Sequence, residues 1–183
     1  MVKLNKTAIE FLNSVYVEIL KKYYETLNIN SIKEIIEIIN GNSNLSLRLI
    51  DWVVTKYSKN SLFLIQTETK DIINVYISYK SQLKNYTKKF FDPFKRGIII
   101  DFKFNDELSI KTTTGQLLFF KWMYENNIIN YIFKNRDSLY NKMYIYYVNE
   151  KKNKILNNNK KKEENKQIKR SNNIVRSFTF TLN

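Results

Sequence analysis

The stretch GIIIDFKFNDELSIKTTTGQL, residues 97–117, decides the fold class. Two apolar runs, Gly97 to Phe104 and Leu108 to Thr112, are separated by Asn105, Asp106 and Glu107, a composition that reads as a hairpin turn. In the first run Ile98, Ile100, Phe102 and Phe104 alternate with Ile99, Asp101 and Lys103, so one face is apolar and the other wet. Thr113 or Thr114 then caps a helix in which Leu117, Phe120, Trp122 or Met123, and Tyr124 bury one side. A β-hairpin running directly into a capped helix predicts an α+β protein.

Downstream, Asn126 and Asn127 interrupt the helical pattern, and Ile128, Ile129, Ile132 and Phe133 resume it. A further helix is expected from about Asp137 towards Tyr147. Upstream, the alternation of Ile73, Val75, Ile77 and Tyr79 with Asn74, Tyr76, Ser78 and Lys80 predicts a half-buried strand over residues 71–80. Leu47, Ile50, Val54 and Tyr57 suggest a helix around Trp52, preferred over the strand that Leu45, Leu47 and Leu49 would also allow. Ser31 and Glu34 stand at capping-box spacing before Ile35, Ile36 and Ile39, and Gly41 offers the left-handed residue that ends such a helix. The longest stripe runs from Thr7 to Leu27, with Thr7 and Glu10 as its capping box and Phe11, Val15, Ile19, Leu20, Tyr23 and Tyr24 among its apolar positions. The expected architecture is N-terminal helices, a small antiparallel sheet, C-terminal helices, and a basic tail that can supply a final strand.

The chain has 183 residues, 31 Lys and Arg against 17 Asp and Glu, a formal charge of +14, and neither His nor Cys. The two zeros exclude disulfides, Cys/His zinc fingers, thiol nucleophiles and histidine acid/base sites. Lys, Asn and Ile make up 75 residues while Pro occurs once and Gly three times, the skew of a strongly AT-rich gene. Glu also has AT-rich codons and has not kept pace with Lys, so the positive field keeps its meaning. No apolar run approaches the roughly 18 to 20 residues of a membrane span, and the N-terminus lacks a secretory or transit pattern. These features predict a soluble intracellular protein, not a secreted one, with no cofactor.

The charge is concentrated in two places. Residues 151–170 carry nine Lys and Arg against two Glu, with few large apolar residues, and read as a flexible linker or a frayed helix over 151–171. That sets one domain over 1–150 and a strand-like tail over 172–183, where Val175, Phe178, Phe180 and Leu182 could pair with the sheet or with a partner chain. Residues 79–96 carry Lys80, Lys84, Lys88, Lys89, Lys95 and Arg96 against Asp92 alone, interleaved with Tyr79, Tyr86, Phe90, Phe91 and Phe94. Cations for phosphates and flat rings for bases are what single-stranded nucleic acid requires. The plainer reading makes the rings core residues and the lysines their wet face. In the arm, Lys160, Lys161, Lys162, Lys169 and Arg170 are the candidate phosphate contacts, and they also form a loose nuclear-import pattern.

Several of these residues carry a family resemblance. Ser46-Leu47-Arg48, Asp51-Trp52 and Tyr57, then Tyr79-Lys80-Ser81-Gln82-Leu83-Lys84, Tyr86, Lys88-Lys89, Phe91-Asp92-Pro93-Phe94 and Arg96, then Thr113-Thr114-Gly115-Gln116-Leu117 with Phe119-Phe120-Lys121-Trp122, resemble small uncharacterised proteins of large nucleocytoplasmic DNA viruses, of mimivirus-like or chlorella-virus-like kind. The resemblance covers about residues 46–132, and the chain departs from it at Lys95 and Gly97. It implies a viral origin and no activity.

Without His and Cys, the chemistry left to an enzyme is carboxylates with a divalent metal. Asp92, with Asp101 and Lys103 on one face of a strand, has the outline of an acid, acid-x-Lys nuclease site, although short D-x-K strings arise by chance in a lysine-rich chain. Residues 114–133 also have the outline of a helix-turn-helix, but their second helix is nearly all apolar. The leading expectation is a non-enzymatic viral accessory protein, of the infected cell's cytoplasm or nucleus or of the virion. It binds DNA or RNA through phosphates with low sequence specificity. The rival is a structural or virion-associated protein docking an acidic viral partner.

Overall fold

The computed structural model describes residues 6–67, 69–86 and 88–179, with side chains described through residue 158 and at 163 and 164. It comprises eight α-helices and two hairpins among these residues: α1 (Lys6–Tyr24), α2 (Ile29–Asn40), α3 (Leu47–Trp52), a π-helical turn (Val53–Tyr57), α4 (Ser58–Asn60), β1 (Leu64–Gln66), β2 (Ile72–Asn74), α5 (Val75–Tyr86), β3 (Ile99–Lys103), β4 (Ser109–Thr113), α6 (Thr114–Glu125), α7 (Ile128–Lys134) and α8 (Arg136–Thr179). This is the expected α+β arrangement. The chain divides into two compact units, residues 1–140 and 141–183.

In the first unit, β3 and β4 pair antiparallel with Asp101 opposite Lys111 and Phe102 opposite Ile110. Phe102 and Phe104 are buried while Asp101 and Lys103 face outward, as the alternation requires. Thr113 ends β4 and caps α6, its side-chain oxygen accepting from the Gln116 amide at 3.1 Å. The cap aligns strand and helix in one step. Replacing Thr113 by Ala should therefore cost about 1–2 kcal/mol, read as a lower denaturant midpoint at an unchanged slope; an unchanged midpoint would show that the hairpin alone sets the start of the helix.

Helix α6 is buried nearly all round, with Thr114 to Phe120, Trp122 and Met123 all inside, which makes it the core helix. Helix α1 packs on it. The Tyr24 hydroxyl donates to the Leu117 carbonyl at 2.8 Å, satisfying the polar tip of a buried ring, and Thr114 Oγ1 donates to Asn13 Oδ1 at 2.6 Å. These contacts turn the face with Asn13, Leu20 and Tyr24 inward. Phe11, Val15 and Ile19, expected in the core stripe, are consequently exposed.

Two local elements differ from the sequence pattern. Helix α2 begins at Ile29, not near Ser31, because the Asn28 side chain accepts from the Ser31 amide at 2.9 Å and caps the helix earlier; Gly41, at φ 80°, ends it as expected. The strand expected over residues 71–80 is only three residues long, and pairs with β1 in a second hairpin that the sequence pattern did not suggest. Helix α5 takes over at Val75, with Asn74 Oδ1 accepting from the Ile77 amide at 3.0 Å. Val75 and Tyr79 lie on one face in either structure, since four residues is a whole number of strand repeats and about one helical turn. Ile77 separates the two readings: it is exposed, where a strand would have buried it.

The π-helical turn follows α3 directly, so the helical reading around Trp52 is the correct one. Helix α7 buries Ile128, Ile129 and Ile132, which spends the second helix of the helix-turn-helix outline on packing. Of the polar residues that outline would use, Asn130 and Lys134 are exposed, and Asn135 and Arg136 are half-buried.

The second unit, residues 141–183, consists of the later part of α8 among its described residues. Residues 151–170 are helical there, and so are Val175 and Phe178, in place of the final strand; Phe180 and Leu182 lie outside the described residues. No helix among the described residues is long and apolar enough to cross a membrane.

Candidate functional site

The site is assembled from three elements of the first unit. Ser46 caps α3, its hydroxyl accepting from the Leu49 amide at 3.1 Å. That start places Trp52 in the core and Asp51 towards the surface. Thr55 follows one turn later, and its hydroxyl donates to the Asp51 carbonyl at 2.7 Å. Asp51 and Thr55 thus share a face.

Helix α5 supplies the second wall. Ser78 Oγ accepts from Trp122 Nε1 at 2.9 Å, which fixes the rotation of α5 against α6 and brings Tyr79 over Phe91 and Trp122, with ring centroids 6.0 and 6.1 Å away. Tyr86, two turns on, stacks near Phe91 at 6.0 Å and meets Tyr16 edge-on at 5.5 Å.

The third element is the segment 88–96, held against the start of α6. Asp92 donates its amide to the Gly115 carbonyl at 3.3 Å, and buried Gln116 donates from Nε2 to the Pro93 carbonyl at 2.8 Å while its Oε1 accepts from Thr112 at 3.0 Å. A Cβ on Gly115 would come within 3.2 Å of the Lys89 carbonyl oxygen, so glycine allows the close approach. Phe90 and Phe91 are buried beneath. Phe90, which the sequence pattern offers as a stacking ring, is instead a core residue packed against Tyr16 at 5.1 Å, because the segment must anchor itself with apolar groups.

Asp92 organises the outer side of this segment. Its Oδ1 accepts from the Phe94 amide at 2.9 Å. Arg96 forks onto it, Nε to Oδ2 at 2.7 Å and Nη2 to Oδ1 at 2.9 Å, and lies 5.0 Å above the Phe94 ring. The Asp92 side chain is 15% exposed and that of Arg96 68%. The guanidinium is therefore held rigidly while most of it faces water.

Asp51, Thr55, Tyr79, Lys88, Phe91, Asp92, Pro93 and Arg96 enclose a pocket of about 320 Å³. Burial, then the neighbouring Asp92 charge, pushes the Asp51 carboxyl above its ordinary value, with Arg96, Lys56 and Lys88 opposing. Burial foremost, with Asp51 and Asp92 adding to it, pushes the Tyr79 hydroxyl up to about 12. Among the described residues neither the Asp51 carboxylate nor the Tyr79 hydroxyl makes a hydrogen bond.

Residues 4–179 match the family of unknown function DUF7197. The chain belongs to that family. It is also 38% identical over 120 residues to "Uncharacterized protein L507" of Acanthamoeba polyphaga mimivirus, a match that covers 61% of this chain and 46% of the relative. The chain thus matches about half the length of this curated relative, whose source agrees with the resemblance to proteins of large DNA viruses. No solved structure matches.

In this member of DUF7197 the motifs that carried the viral resemblance meet at the pocket: Asp51 from the first block, Tyr79 from the second, Asp92, Pro93 and Arg96 from the third, with Gly115 and Gln116 of the fourth behind them. Of the candidates read from sequence, Tyr79, Lys88 and Arg96 line it, and Asp92 lines it in a role other than metal ligation, paired to Arg96. Lys80, Lys84, Lys89 and Lys95 are exposed on α5 and the following segment. Asp101 and Lys103 are on the outer face of β3 and do not line the pocket. No group of three or more acidic side chains placed to hold a metal occurs among the described residues. Lys160, Lys161, Lys162, Lys169 and Arg170 are on the backbone of α8, their side chains outside the described set. The sequence pattern missed Thr55 altogether; its spacing of four from Asp51 was the available signal.

Proposed function

We propose that the chain is a nucleic-acid-binding accessory protein, of the infected cell or the virion, that engages phosphates with low sequence specificity. The observation that carries this reading is the charge balance of residues 79–96. Lys80, Lys84, Lys88, Lys89, Lys95 and Arg96 are all exposed, and the one acid among them, Asp92, is turned inward and engaged with Arg96. Cations left to solvent without local acids attract a polyanion. Lysine predominates over arginine, which suits charge neutralisation more than paired reading of base edges. The basic stretch of 151–170 adds a second cationic surface on a helical backbone.

A salt titration of binding to single- and double-stranded DNA and RNA tests the reading. Release of about six to ten counterions should give a steep linear fall of log affinity with log salt. Undetectable binding at about 50 mM salt would reject it and favour an acidic protein as the partner of the same surface.

A further inference from the structure

We infer that the pocket between α3, α5 and the 88–96 segment is a nucleotide site, in which Arg96 and Lys88 take a phosphate and Asp51 reads the hydrogen-bond donors of one base, guanine above the others. The inference rests on the nucleic-acid reading and deepens it, because it gives a base preference to a surface otherwise blind to sequence.

The pocket has two chemically distinct ends. At the rim, Arg96 uses Nε and one Nη2 hydrogen on Asp92, which leaves the other guanidinium hydrogens for an anion. Its orientation is set twice over, by the fork onto Asp92 and by the Phe94 ring below it. A guanidinium fixed in this way loses little freedom on binding. Lys88 lines the same pocket and supplies a second cation.

Asp51, Tyr79 and Thr55 line the pocket as half-buried polar side chains, less exposed than Arg96 and Lys88. Thr55 spends its proton on the Asp51 carbonyl, so its oxygen remains as an acceptor. Asp51 is half-buried and makes no hydrogen bond among the described residues. Partial burial makes the ionised form of Asp51 costlier than in open water, and a donor brought by a ligand offsets that cost. Asp92 cannot help it, being a like charge already occupied. The site therefore sets an uncommitted carboxylate, with the Tyr79 hydroxyl in the same lining, against cationic donors that are exposed, an arrangement that suits a nucleotide with its phosphate outward and an amino-bearing base edge towards Asp51.

The carboxylate then discriminates between bases. Guanine presents N1–H and the N2 amino group side by side, matching two carboxylate oxygens. Cytosine and adenine present one amino group beside an acceptor. Uracil and thymine flank a single N–H with two carbonyls, which Asp51 repels. Such edges are accessible only in unpaired strands or free nucleotides. The volume of about 320 Å³ lies at the low end of ligand pockets, roughly 300–1,000 Å³, enough for one base. Tyr79, Phe91 and Pro93 provide flat or apolar walls.

The test uses the full chain with short single strands of equal length, all-thymine or carrying one central guanine, and with free 5′-GMP and 5′-UMP. The guanine strand should bind roughly tenfold tighter than the all-thymine strand. Asp51→Asn should abolish that difference, by weakening the guanine strand and relieving the repulsion of thymine, while the all-thymine strand keeps at least its native affinity. Equal binding of both strands by the native chain, or a guanine preference that survives Asp51→Asn, overturns the site and leaves the phosphate reading standing. Loss of strand binding with GMP binding retained, and abolished by Asp51→Asn, keeps the site and rejects the strand. Guanine preference without binding of free GMP assigns the base to a strand; saturation by GMP but not UMP assigns it to a free nucleotide as well.

Discussion

Replacing Gln116 by leucine should lower the melting temperature by roughly 4–24 °C and loosen the whole 88–96 segment. The side chain is 1% exposed and joins three things: its Nε2 holds the Pro93 carbonyl, its Oε1 holds the Thr112 hydroxyl, and its amide takes the Thr113 cap. Leucine fills a similar volume but leaves the Pro93 carbonyl and the Thr112 hydroxyl facing an apolar group. Each buried, unpaired polar group costs roughly 1–3 kcal/mol, and for a chain of this size 1 kcal/mol moves the midpoint by about 2–4 °C. The backbone amide keeps its cap, so α6 should survive. Thermal unfolding followed by circular dichroism checks the first part. Amide chemical shifts of residues 88–96 check the second, and a melting temperature within about a degree of the native one would mean that Gly115 and the buried Phe90 and Phe91 hold the segment without help. Arg96 loses its fixed position in this variant, so nucleotide affinity should fall along with stability.

Ending the chain after Glu150 should cut the dependence of log affinity on log salt by roughly half and weaken binding by about a hundredfold near 100 mM salt. Residues 151–170 hold nine cations against two acids, more than the six of residues 79–96, so the arm should release at least as many counterions as the folded surface. The melting transition of the first unit should remain cooperative, since that unit has its own core around α6. An unchanged salt slope would remove the arm from the binding surface. Loss of the transition would show that residues beyond 150 support the first unit.

The hairpin and the helix that follows it were legible because their signals are local. Alternation in 98–104, the Asn105–Glu107 turn and the Thr113 cap each involve neighbours within a few residues, and the structure keeps all three. The errors share a different origin. Val75 and Tyr79 satisfy strand and helix periods alike, so the deciding fact was the Asn74 cap and the solvent outside Ile77. Along α1 the apolar residues cover more than one face, and only the partners on α6, the Leu117 carbonyl and the Thr114 hydroxyl, choose which face goes inside. Asn28 and Ser31 were both competent caps, and three residues separate the two outcomes.

The candidate site was legible in its parts and hidden as a whole. The cluster of lysines with Arg96 is a compositional fact, and the missing His and Cys removed most catalytic chemistries before any geometry was known. By itself the sequence determined the charge, the absence of those side chains, the α+β class and the membership in a viral resemblance group, because each depends on residue identity or on short-range pattern. Only the tertiary structure decided that Asp51, Tyr79, Asp92 and Arg96, spread over 46 positions, face one pocket, that Phe90 is core, and that Asp92 is spent on Arg96 while the Asp51 carboxylate has no hydrogen bond among the described residues. Burial and hydrogen-bond supply are properties of the space between elements, and the approach of α3, α5 and the 88–96 segment creates that space.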